Sequence, residues 1–334
     1  MNKYIRLTLA DREEISRGLA AKWTFSHIAH NINRPVSTVS REVKGNCKSK
    51  RCYRAIRANK KAHRIRHRQK QLKKLESSER LRNYVLEKLR LKWSPEEIAK
   101  RLKTDYATDM TMQASYETIY TYLYCLPRGS LKKELLKCLR QERKYRHNRK
   151  AIHAKRSTIT DFLSISERPE EVKDRIIPGH WEGDLIMGSK RSNTAMGTLV
   201  ERTTRYLLLV PLTAHDALAV RTEFSRALKH IPKFLKKTLT YDRGTEMAQH
   251  KLFTQNTKIQ VYFADPHSPW QRGTNENTNG LLRQYFPKGI DFRTISRQEI
   301  RRAQDQMNDR PRKALQYQKP DEVFSRLLIN PNLR

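Results

Sequence analysis

Residues 259–286 of the chain read IQVYFADPHSPWQRGTNENTNGLLRQYF. The apolar and aromatic residues at the front of this stretch predict a short strand over 259–265. After a loop rich in proline, glycine and amide side chains, the pattern favours a helix from about residue 273. Within residues 266–286 the only acidic side chain is Glu276. A chain with a formal net charge of +36 therefore keeps one carboxylate near the start of this helix.

The residues before this stretch predict a mixed sheet with helices on its faces. Residues 177–189 (IPGHWEGDLIMGS) favour one strand, and residues 193–212 favour two more, joined by a turn near Glu201 to Arg205. A helix-period run, a strand and a further helix follow, at residues 216–231, 237–244 and about 248–256. Strands first, then alternating helix and strand, is the order expected of an α/β domain with a mixed sheet.

Two aspartates in this region, Asp184 and Asp242, lie in predicted strands beside glycines. A strand carboxylate among apolar neighbours is costly to bury unless it is paired or binds a cation. The alternative is that each residue only ends a strand or caps a helix. Asp242 stands where its strand ends, at the sheet edge on which open α/β proteins build sites. Glu276 follows 34 residues later on a path that can return to that edge, and Arg283 lies two helical turns beyond Glu276.

These three carboxylates predict a metal site. Carboxylates without a histidine cluster are hard oxygen ligands, which suit Mg²⁺ or Mn²⁺. Two such ions about 3.5–4 Å apart can activate water or a 3′ hydroxyl on one side of a phosphodiester and stabilise the leaving oxygen on the other. We therefore predict Asp184, Asp242 and Glu276 as catalytic residues and as ligands of two ions.

Cysteine usage does not point to a zinc site or to disulfides. Cys47, Cys52, His63 and His67 form a C-x4-C-x10-H-x3-H array, but the interval between the pairs is shorter than in zinc fingers and holds no apolar core residues. We expect no zinc there. Four cysteines in 334 residues, without an export signal, indicate reduced thiols.

Further polar residues flank the predicted ligands. Glu182 shares a strand face with Asp184, and either a hydrogen bond near the metals or a structural role fits it. Glu246 either lies near Asp242 or begins a helix. The residues around Glu276 are candidates for holding a DNA end, although loop packing explains the tryptophan equally well. They are His267, Trp270, Gln271, Arg272, Asn275 and Asn277. Arg272 and Asn275, together with Arg283, are predicted DNA contacts.

The charge distribution predicts a polyanionic partner. Residues 1–150 hold 39 basic and 14 acidic side chains, a net charge of +25, and the rest of the chain holds 31 and 20, a net charge of +11. No window approaches the ~18 consecutive apolar residues of a membrane-spanning helix, and the N-terminus lacks the apolar core of a signal peptide. We therefore expect a cytoplasmic protein that binds nucleic acid and no membrane.

Residues 8–45 predict a helix-turn-helix module of three short helices. Thr8 with Asp11 and then Thr24 are predicted caps of the first two helices, and Pro35 is the predicted first residue of the third. The apolar side of the third helix carries Val36, Val39 and Val43, and its polar side carries Ser37, Thr38, Ser40, Arg41 and Lys44. A basic last helix of this kind enters the major groove of DNA. The alternative is a small bundle that uses the pattern only for packing.

The residues that follow are strongly basic. Residues 43–75 contain no acid, and residues 48–74 hold 13 Lys or Arg. This run predicts a helix or linker laid on DNA phosphates, and a solvated charged helix is the alternative. The candidate DNA contacts here are Arg51, Arg54, Lys60, Lys61 and Arg64.

A second helical triplet resembles the first. An apolar stripe of Leu81, Val85 and Leu89 precedes SPEEIAKRL, in which Ser94, the proline and Glu97 predict a capped helix start. A last helix over 115–124 is predicted to reach bases or phosphates. Its candidate DNA contacts are Ser115, Tyr116 and Thr118.

The predicted organisation is thus multidomain α and α/β. The predicted segments are a first helix-turn-helix domain at 1–46, a basic linker or helix at 47–75, a second helix-turn-helix domain at 76–126, a basic connector at 127–174, and a catalytic domain at 175–334.

Taken together, these motifs resemble one known family over nearly the whole chain. The resemblance is carried by STVSRE in the first module, by PGHWEGDLI and TYDRGTEMA, by ADPHSPWQRGTNENTNGLLRQYFPKG, and by the tail MNDRPRKALQYQKPDEVF. It is to bacterial insertion-sequence transposases of the DDE type with an RNase H-like, retroviral-integrase-type core, and among these to the IS-thirty family. The two catalytic-domain motifs around PGHWEGD and residues 265–289 are long and specific, and the first module is less so.

The resemblance implies a function and a set of roles. The family's catalytic triad falls on Asp184, Asp242 and Glu276, and its basic residue seven positions beyond the glutamate falls on Arg283. The implied activity is Mg²⁺-dependent cleavage of double-stranded DNA at terminal inverted repeats and joining of 3′ hydroxyls to target DNA, in bacterial cytoplasm at the nucleoid. Because two ends must be handled at once, we expect a homodimer or higher homo-oligomer on DNA. A non-catalytic DNA-binding regulator and a nuclease of the same fold without strand transfer are the alternatives.

Overall fold

The structure is a computed structural model and describes residues 6–47, 49–67, 74–140, 161–189, 192–266 and 268–330. The chain divides into two compact units, Met1–Leu72 and Lys73–Arg334. Among the described residues, no helix combines the length and the apolar character needed to cross a lipid bilayer.

The first unit is a small helical domain with its own core. Its helices are α1 (Leu9–Ala20), α2 (Phe25–Asn31), α3 (Val36–Asn46) and α4 (Ala55–His67). Thr8 and Asp11 form the predicted capping box of α1, and Thr24 caps α2. The core consists of Ile15, Ile28, Ala29, Val39, Val43, Tyr53 and Ala58.

Two details of α3 differ from the sequence prediction. Pro35 is the residue before the first turn rather than the first helical residue. Val36 is 45% exposed, so only Val39 and Val43 of the predicted apolar side are buried. The reason is that Val36 begins the helix, one turn before the part of α3 that packs on the core.

The second unit begins with a helical module. Its helices are α5 (Lys74–Ser77), α6 (Glu79–Arg90), α7 (Pro95–Asp105), α8 (Tyr116–Cys125) and α9 (Ser130–Cys138). The predicted stripe of Leu81, Val85 and Leu89 is fully buried. Ser94 and Glu97 form the predicted capping box of α7, which fixes where that helix begins.

A six-stranded mixed sheet follows. Its strands are β1 (Leu163–Ser164), β2 (His180–Met187), β3 (Ala195–Glu201), β4 (Leu207–Leu212), β5 (Thr238–Tyr241) and β6 (Gln260–Phe263). They lie in the order β1-β6-β5-β2-β3-β4. The pairs β2–β3 and β3–β4 are antiparallel, and the other neighbours are parallel. The sequence analysis did not predict β1, whose two residues are too short to show a pattern.

Helices cover both faces of the sheet, as predicted. They are α10 (Ala217–Leu228), α11 (His250–Thr257), α12 (Gly273–Leu282), α13 (Arg297–Asp309) and α14 (Pro320–Ile329). One core cluster joins the sheet to α10 and α11, and it includes Phe224 and Phe253. A second joins the sheet to α12 and α13, and it includes Leu282 and Met307. The helix predicted over 216–231 ends at Leu228.

The helical module of the second unit is docked on the part that contains the sheet. The Arg101 guanidinium donates to both carboxylate oxygens of Glu322 at 3.0 and 2.8 Å. Arg310, whose side chain is 1% exposed, pairs with Glu97 at 3.0 Å. Two buried or half-buried arginines paired across this contact hold α7 against the C-terminal helices.

Candidate active site

Asp184 and Asp242 lie side by side on two neighbouring parallel strands, Asp184 within β2 and Asp242 directly after the last residue of β5. Glu182 of β2 is in register with Thr240 of β5, so two residues further along each strand stand Asp184 and Asp242. The Asp184 side chain is 30% exposed and that of Asp242 is 44% exposed. The prediction that both carboxylates meet at one sheet edge agrees with this geometry.

The guanidinium of Arg272 bridges the two aspartates. Its Nη1 lies 3.2 Å from Asp184 Oδ1, and its Nη2 lies 3.1 Å from Asp242 Oδ2. Nη1 also donates to the backbone carbonyl of Gly183 at 3.1 Å. Two carboxylates are thus arranged around one positive group, which is the arrangement a divalent cation requires of its oxygen ligands.

Burial gives Asp184 an unusual ionisation. Desolvation raises the pKa of this carboxyl above its usual range, and Asp242 raises it further, while Arg272 acts in the opposite direction. A nearby cation therefore stabilises the charged form of this carboxylate, which burial disfavours.

Glu276 lies on α12 between two residues that contact Asp184. Arg272, four residues before it, makes the bridge described above, and Asn279, three residues after it, donates to Asp184 Oδ2 at 2.9 Å. Residues four and three apart share one face of a helix. Glu276 therefore lies on the face of α12 that borders Asp184, with an exposed side chain.

The three carboxylates do not close into one cluster in this structure. Within the described ranges, no group of three His, Cys, Asp or Glu side chains is close enough together to hold a metal ion. The structure brings Asp184 and Asp242 together and places Glu276 on the bordering helix face.

A buried polar cluster fixes the start of α12. Glu182 is 0% exposed and pairs with Arg202, Oε1 to Nε, at 2.9 Å. Its Oε2 accepts from the backbone N–H of Asn275 at 2.9 Å. The Asn275 side chain donates to the carbonyls of Glu182 and Thr198 and accepts from the Thr198 hydroxyl. Of the two roles considered for Glu182, the structure shows the structural one.

The same cluster overturns one predicted DNA contact. Asn275 is 0% exposed, and its amide oxygen and nitrogen are both used inside the protein. Its prediction as a DNA-binding residue is therefore wrong, because the side chain lies on the sheet side of α12 rather than on the face of Glu276.

Glu246 has both of the properties considered for it. It belongs to a short 3-10 turn after Asp242, and its side chain folds back over Gly244. A methyl group at Gly244 would lie 2.1 Å from a Glu246 carboxylate oxygen and 3.1 Å from Asp242 Oδ1. Glycine at this position thus allows a fourth carboxylate to approach Asp242.

The remaining loop residues have mixed surroundings. Trp270 is 71% exposed. Gln271 donates to Asp265 at 2.9 Å, and Asn277 accepts from Arg140 at 3.1 Å. Arg283 follows the last residue of α12 with a half-buried side chain, and burial lowers the pKa of its guanidinium. His267 lies outside the described residues.

The candidate DNA contacts of the first unit lie on accessible surfaces. Ser37, Arg41 and Lys44 are exposed on α3, and Thr38 and Ser40 are half-buried. The basic candidates beyond α3 are all exposed, namely Arg51, Arg54, Lys60, Lys61 and Arg64. Two of them bond to the protein itself, since Arg54 donates to the carbonyl of Arg51 and Lys61 to that of Gly45. For the zinc array, Cys47 and Cys52 are free thiols, and the His67 side chain is not described.

In the second module, two candidates form a helix cap. The Ser115 hydroxyl accepts from the backbone N–H of Thr118 at 3.1 Å and lies 2.9 Å from the Thr118 hydroxyl. Tyr116 is 47% exposed at the start of α8. These hydroxyls are thus tied to the first turn, while the tyrosine ring is presented to solvent.

Two residues of these polar clusters, Asn279 and Arg202, were not predicted from the sequence. Asn279 could have been found, because it lies three residues after Glu276 on the predicted helix. Arg202 could not, because nothing in a predicted turn indicates that its guanidinium will be buried against Glu182.

Comparison with known proteins agrees with this domain order. The family model for a helix-turn-helix domain matches residues 3–46, and that for an integrase core domain matches residues 175–269. Transposase InsI for insertion sequence element IS30A of Escherichia coli (strain K12) is 43% identical over 323 residues, which cover 96% of this chain and 83% of that protein.

Two further similarities complete the comparison. The transposase for insertion sequence element IS1086 of Cupriavidus metallidurans is 41% identical over 332 residues, covering 99% of this chain and 98% of that protein. The catalytic core domain of BIV integrase is 16% identical and covers 46% of this chain and 97% of its own, with a TM-score of 0.36. With a helix-turn-helix domain, an integrase core and relatives matched along almost its whole length, the chain belongs to the IS30 family of insertion-sequence transposases.

Proposed function

We propose that this transposase is of the DDE type, with Asp184, Asp242 and Glu276 as its catalytic residues. In the proposed reaction it cleaves DNA at the terminal inverted repeats of its element and joins the 3′ hydroxyls to target DNA. The observation that carries the proposal is the bridge of one guanidinium between Asp184 and Asp242. It supports a site in which carboxylates from two neighbouring strands face one cation, beside the helix that carries Glu276.

The donor set fits two Mg²⁺ or Mn²⁺ ions. All three side chains supply hard oxygen ligands. The Arg272 guanidinium between the two aspartates supports a site in which both carboxylates face one positive charge. When bound, such ions supply activation of water or a 3′ hydroxyl and stabilisation of the leaving oxygen.

The protein's own residues position this chemistry. Asn279 orients the Asp184 carboxylate through its hydrogen bond to Oδ2. Arg272 and Arg283 place positive charge at the two ends of α12, where they can bind the phosphates on either side of the scissile bond. The buried Glu182 and Asn275 hold the start of α12 against the sheet and so set the position of Glu276.

Recognition of the DNA is assigned to the two helical modules. In the proposed complex, α3 of the first unit and α8 of the second bind double-stranded DNA in major grooves. Two element ends are held by a homodimer or higher homo-oligomer, and we place this activity at the bacterial nucleoid in the cytoplasm. The segment boundaries predicted from the sequence remain part of the proposal.

Strand cleavage and transfer by single-residue variants test the proposal. Asp184→Asn, Asp242→Asn and Glu276→Gln each remove one ligand, so we expect rates at least about a thousandfold lower, since a metal ligand accounts for several kcal/mol and each 1.36 kcal/mol is tenfold. The assay uses labelled terminal-repeat DNA, target DNA and Mg²⁺. Binding of the repeat DNA is measured in parallel and should not change.

Asp305→Asn is the matched control, because Asp305 is exposed on α13 of the same domain. Normal strand transfer by any triad variant would contradict the proposal. Binding of the repeats without cleavage by the wild type would favour a regulator, and cleavage without joining would favour a nuclease.

A further inference from the structure

A second charged site lies on the other side of α12. A cavity of about 540 Å³ is bordered by Gly273, Thr274, Asn277, Thr278 and Leu281 of that helix and by Glu97 of α7. Five basic side chains surround it, namely Arg140, Arg175, Arg205, Arg312 and Lys313. We call this cavity the basic pocket.

Among the described residues that line the basic pocket, the one acidic side chain is already engaged. Glu97 closes the capping box of α7 and pairs with Arg310, which is not among the residues that line the pocket. Lys313, whose side chain is 79% exposed, lies 3.6 Å from Glu96, which is not a lining residue either. The positive charge of the pocket therefore exceeds the negative charge that faces it.

Arg312 gives the strongest support for an anion site. It is 8% exposed, and its Nη2 donates to the backbone carbonyl of Met307 at 2.8 Å. Its Nη1 is buried without a hydrogen-bond partner in the part of the chain that the structure describes. Burying an unpaired charged donor is costly, which makes an anion at this position favourable.

The arginines around the basic pocket also disfavour one another's charge. Burial, and after it the charge of Arg310, lowers the pKa of Arg312 to about 10. Burial likewise lowers the pKa of Arg205, with Arg175 as the next cause. An anion within this group would relieve both the desolvation and the repulsion.

The start of α12 adds to this preference. The helix begins at Gly273, and although its Asn275 N–H is bonded to Glu182, its dipole favours negative charge at the end that borders the basic pocket. Asn277 borders the pocket, whereas the neighbouring Glu276 lies on the helix face that borders Asp184.

We propose that the basic pocket binds a backbone phosphate of the terminal-repeat DNA, on the stretch between the part bound by the second module and the scissile bond. This rests on the proposed function, because it takes the face of Glu276 as the site of cleavage. The pocket is bordered by α7 of the module and by α12, so one phosphate held there fixes the DNA relative to both. A phosphodiester is the ligand that forked guanidinium groups match best.

Neutral phosphates in the DNA test this inference. Terminal-repeat duplexes that carry one methylphosphonate at successive positions are titrated with the wild type and with the double variant Arg175→Gln/Lys313→Gln. We expect one or two positions to weaken wild-type binding about tenfold, as for loss of a charge-assisted hydrogen bond. The same positions should have no effect on the double variant, whose log-log salt slope should be shallower by about 0.9 for each phosphate no longer contacted.

The matched control is Lys229→Gln/Lys233→Gln, which removes the same charge on the side of the sheet that carries α10. It should keep the wild-type pattern of sensitive phosphates. The thermal unfolding of each variant is recorded to show that it is folded.

An identical pattern of sensitive phosphates in the wild type and in the pocket variant would overturn the inference. A free anion as the occupant would also overturn it. In that case tripolyphosphate would stabilise the wild type and not the pocket variant, while both proteins would show the same pattern of sensitive phosphates. Binding is measured without divalent metal, so the result does not depend on cleavage. Loss of activity in triad variants that bind DNA normally would leave the inference about the pocket unaffected. If the triad variants kept their activity, the proposed function would fail, but the pattern of sensitive phosphates would not change.

Discussion

Glu182 and Asp184 are two residues apart on the same face of β2, yet they belong to opposite kinds of polar site. Glu182 is 0% exposed and has fixed partners in Arg202 and the backbone of Asn275. Asp184 is 30% exposed, and its charged partner, Arg272, comes from a helix N-terminus at the edge of the sheet. The first site joins elements together, and the second leaves its carboxylates open to exchange one cation for another.

The difference shows how Glu276, a proposed catalytic carboxylate, is positioned by one to which no chemistry is assigned. The Glu182 carboxylate holds the first turn of α12, and the next residue after Asn275 is Glu276. A displacement of this turn would move Glu276 relative to Asp184 by the same amount. Rigid support of this kind is what a catalytic arrangement needs, because small misplacements cost large factors in rate.

The largest expected effect on stability comes from breaking the buried site. Glu182→Gln leaves the Arg202 charge buried without its partner, so we expect the free energy of unfolding to fall by about 3–5 kcal/mol. Asp184→Asn removes a carboxylate that burial already disfavours, so its effect should stay within about 1 kcal/mol. Chemical denaturation of the two variants measures both. Equal losses would show that the two carboxylates do not differ in the way described here.

A smaller effect is expected at the cation between the aspartates. Arg272 competes with a divalent ion for Asp184 and Asp242, so removing its charge should strengthen Mn²⁺ binding. We expect Arg272→Gln to raise the affinity for Mn²⁺ by about three- to tenfold, which corresponds to the loss of a partly exposed ion pair worth about 1 kcal/mol. Titration of Mn²⁺ by electron paramagnetic resonance, without DNA, measures this. Arg283→Gln, which removes the same charge from the other end of α12, is the control and should bind Mn²⁺ as the wild type does. Unchanged affinity in Arg272→Gln would exclude competition.

The helices and strands could be predicted from the sequence because they depend on local patterns. The capping boxes at Thr8 and Ser94, the buried stripe of α6, and the end of β5 before Asp242 all follow from residues close to each other along the chain. For Asp184 and Asp242, the residue type beside glycine left a structural role open, and their position on neighbouring strands favours a shared site.

The face of each polar residue on α12 was harder to predict. Asn275 and Arg272 were both predicted to bind DNA, but a helix turns about 100° per residue, and only the second lies on the stripe of Glu276 and Asn279. The helix start at Gly273 agrees with the prediction. The sequence left open which face of α12 packs against the sheet, because that depends on contacts with distant strands such as the bond from the Asn275 N–H to Glu182.

Contacts between distant parts of the chain could not be predicted at all. Glu97 was correctly predicted to cap α7, but its pairing with Arg310 joins residues 213 positions apart. The basic pocket depends on the same docking, because its lining comes from α7, α12 and the segment before α14. No local pattern records which arginine a cap residue will meet.

Sulfur substitution at the scissile bond tests the central claim most directly. Terminal-repeat DNA with a 3′-bridging sulfur replaces the hard leaving oxygen by a soft atom, which Mg²⁺ binds poorly and Mn²⁺ binds better. If ions held by Asp184, Asp242 and Glu276 stabilise the leaving atom, wild-type protein should cleave this DNA about a hundredfold faster with Mn²⁺ than with Mg²⁺, a difference of about 2.7 kcal/mol. The unmodified DNA should show no such gap. Equal cleavage of the sulfur DNA in both ions, or cleavage without a divalent ion, would contradict the account.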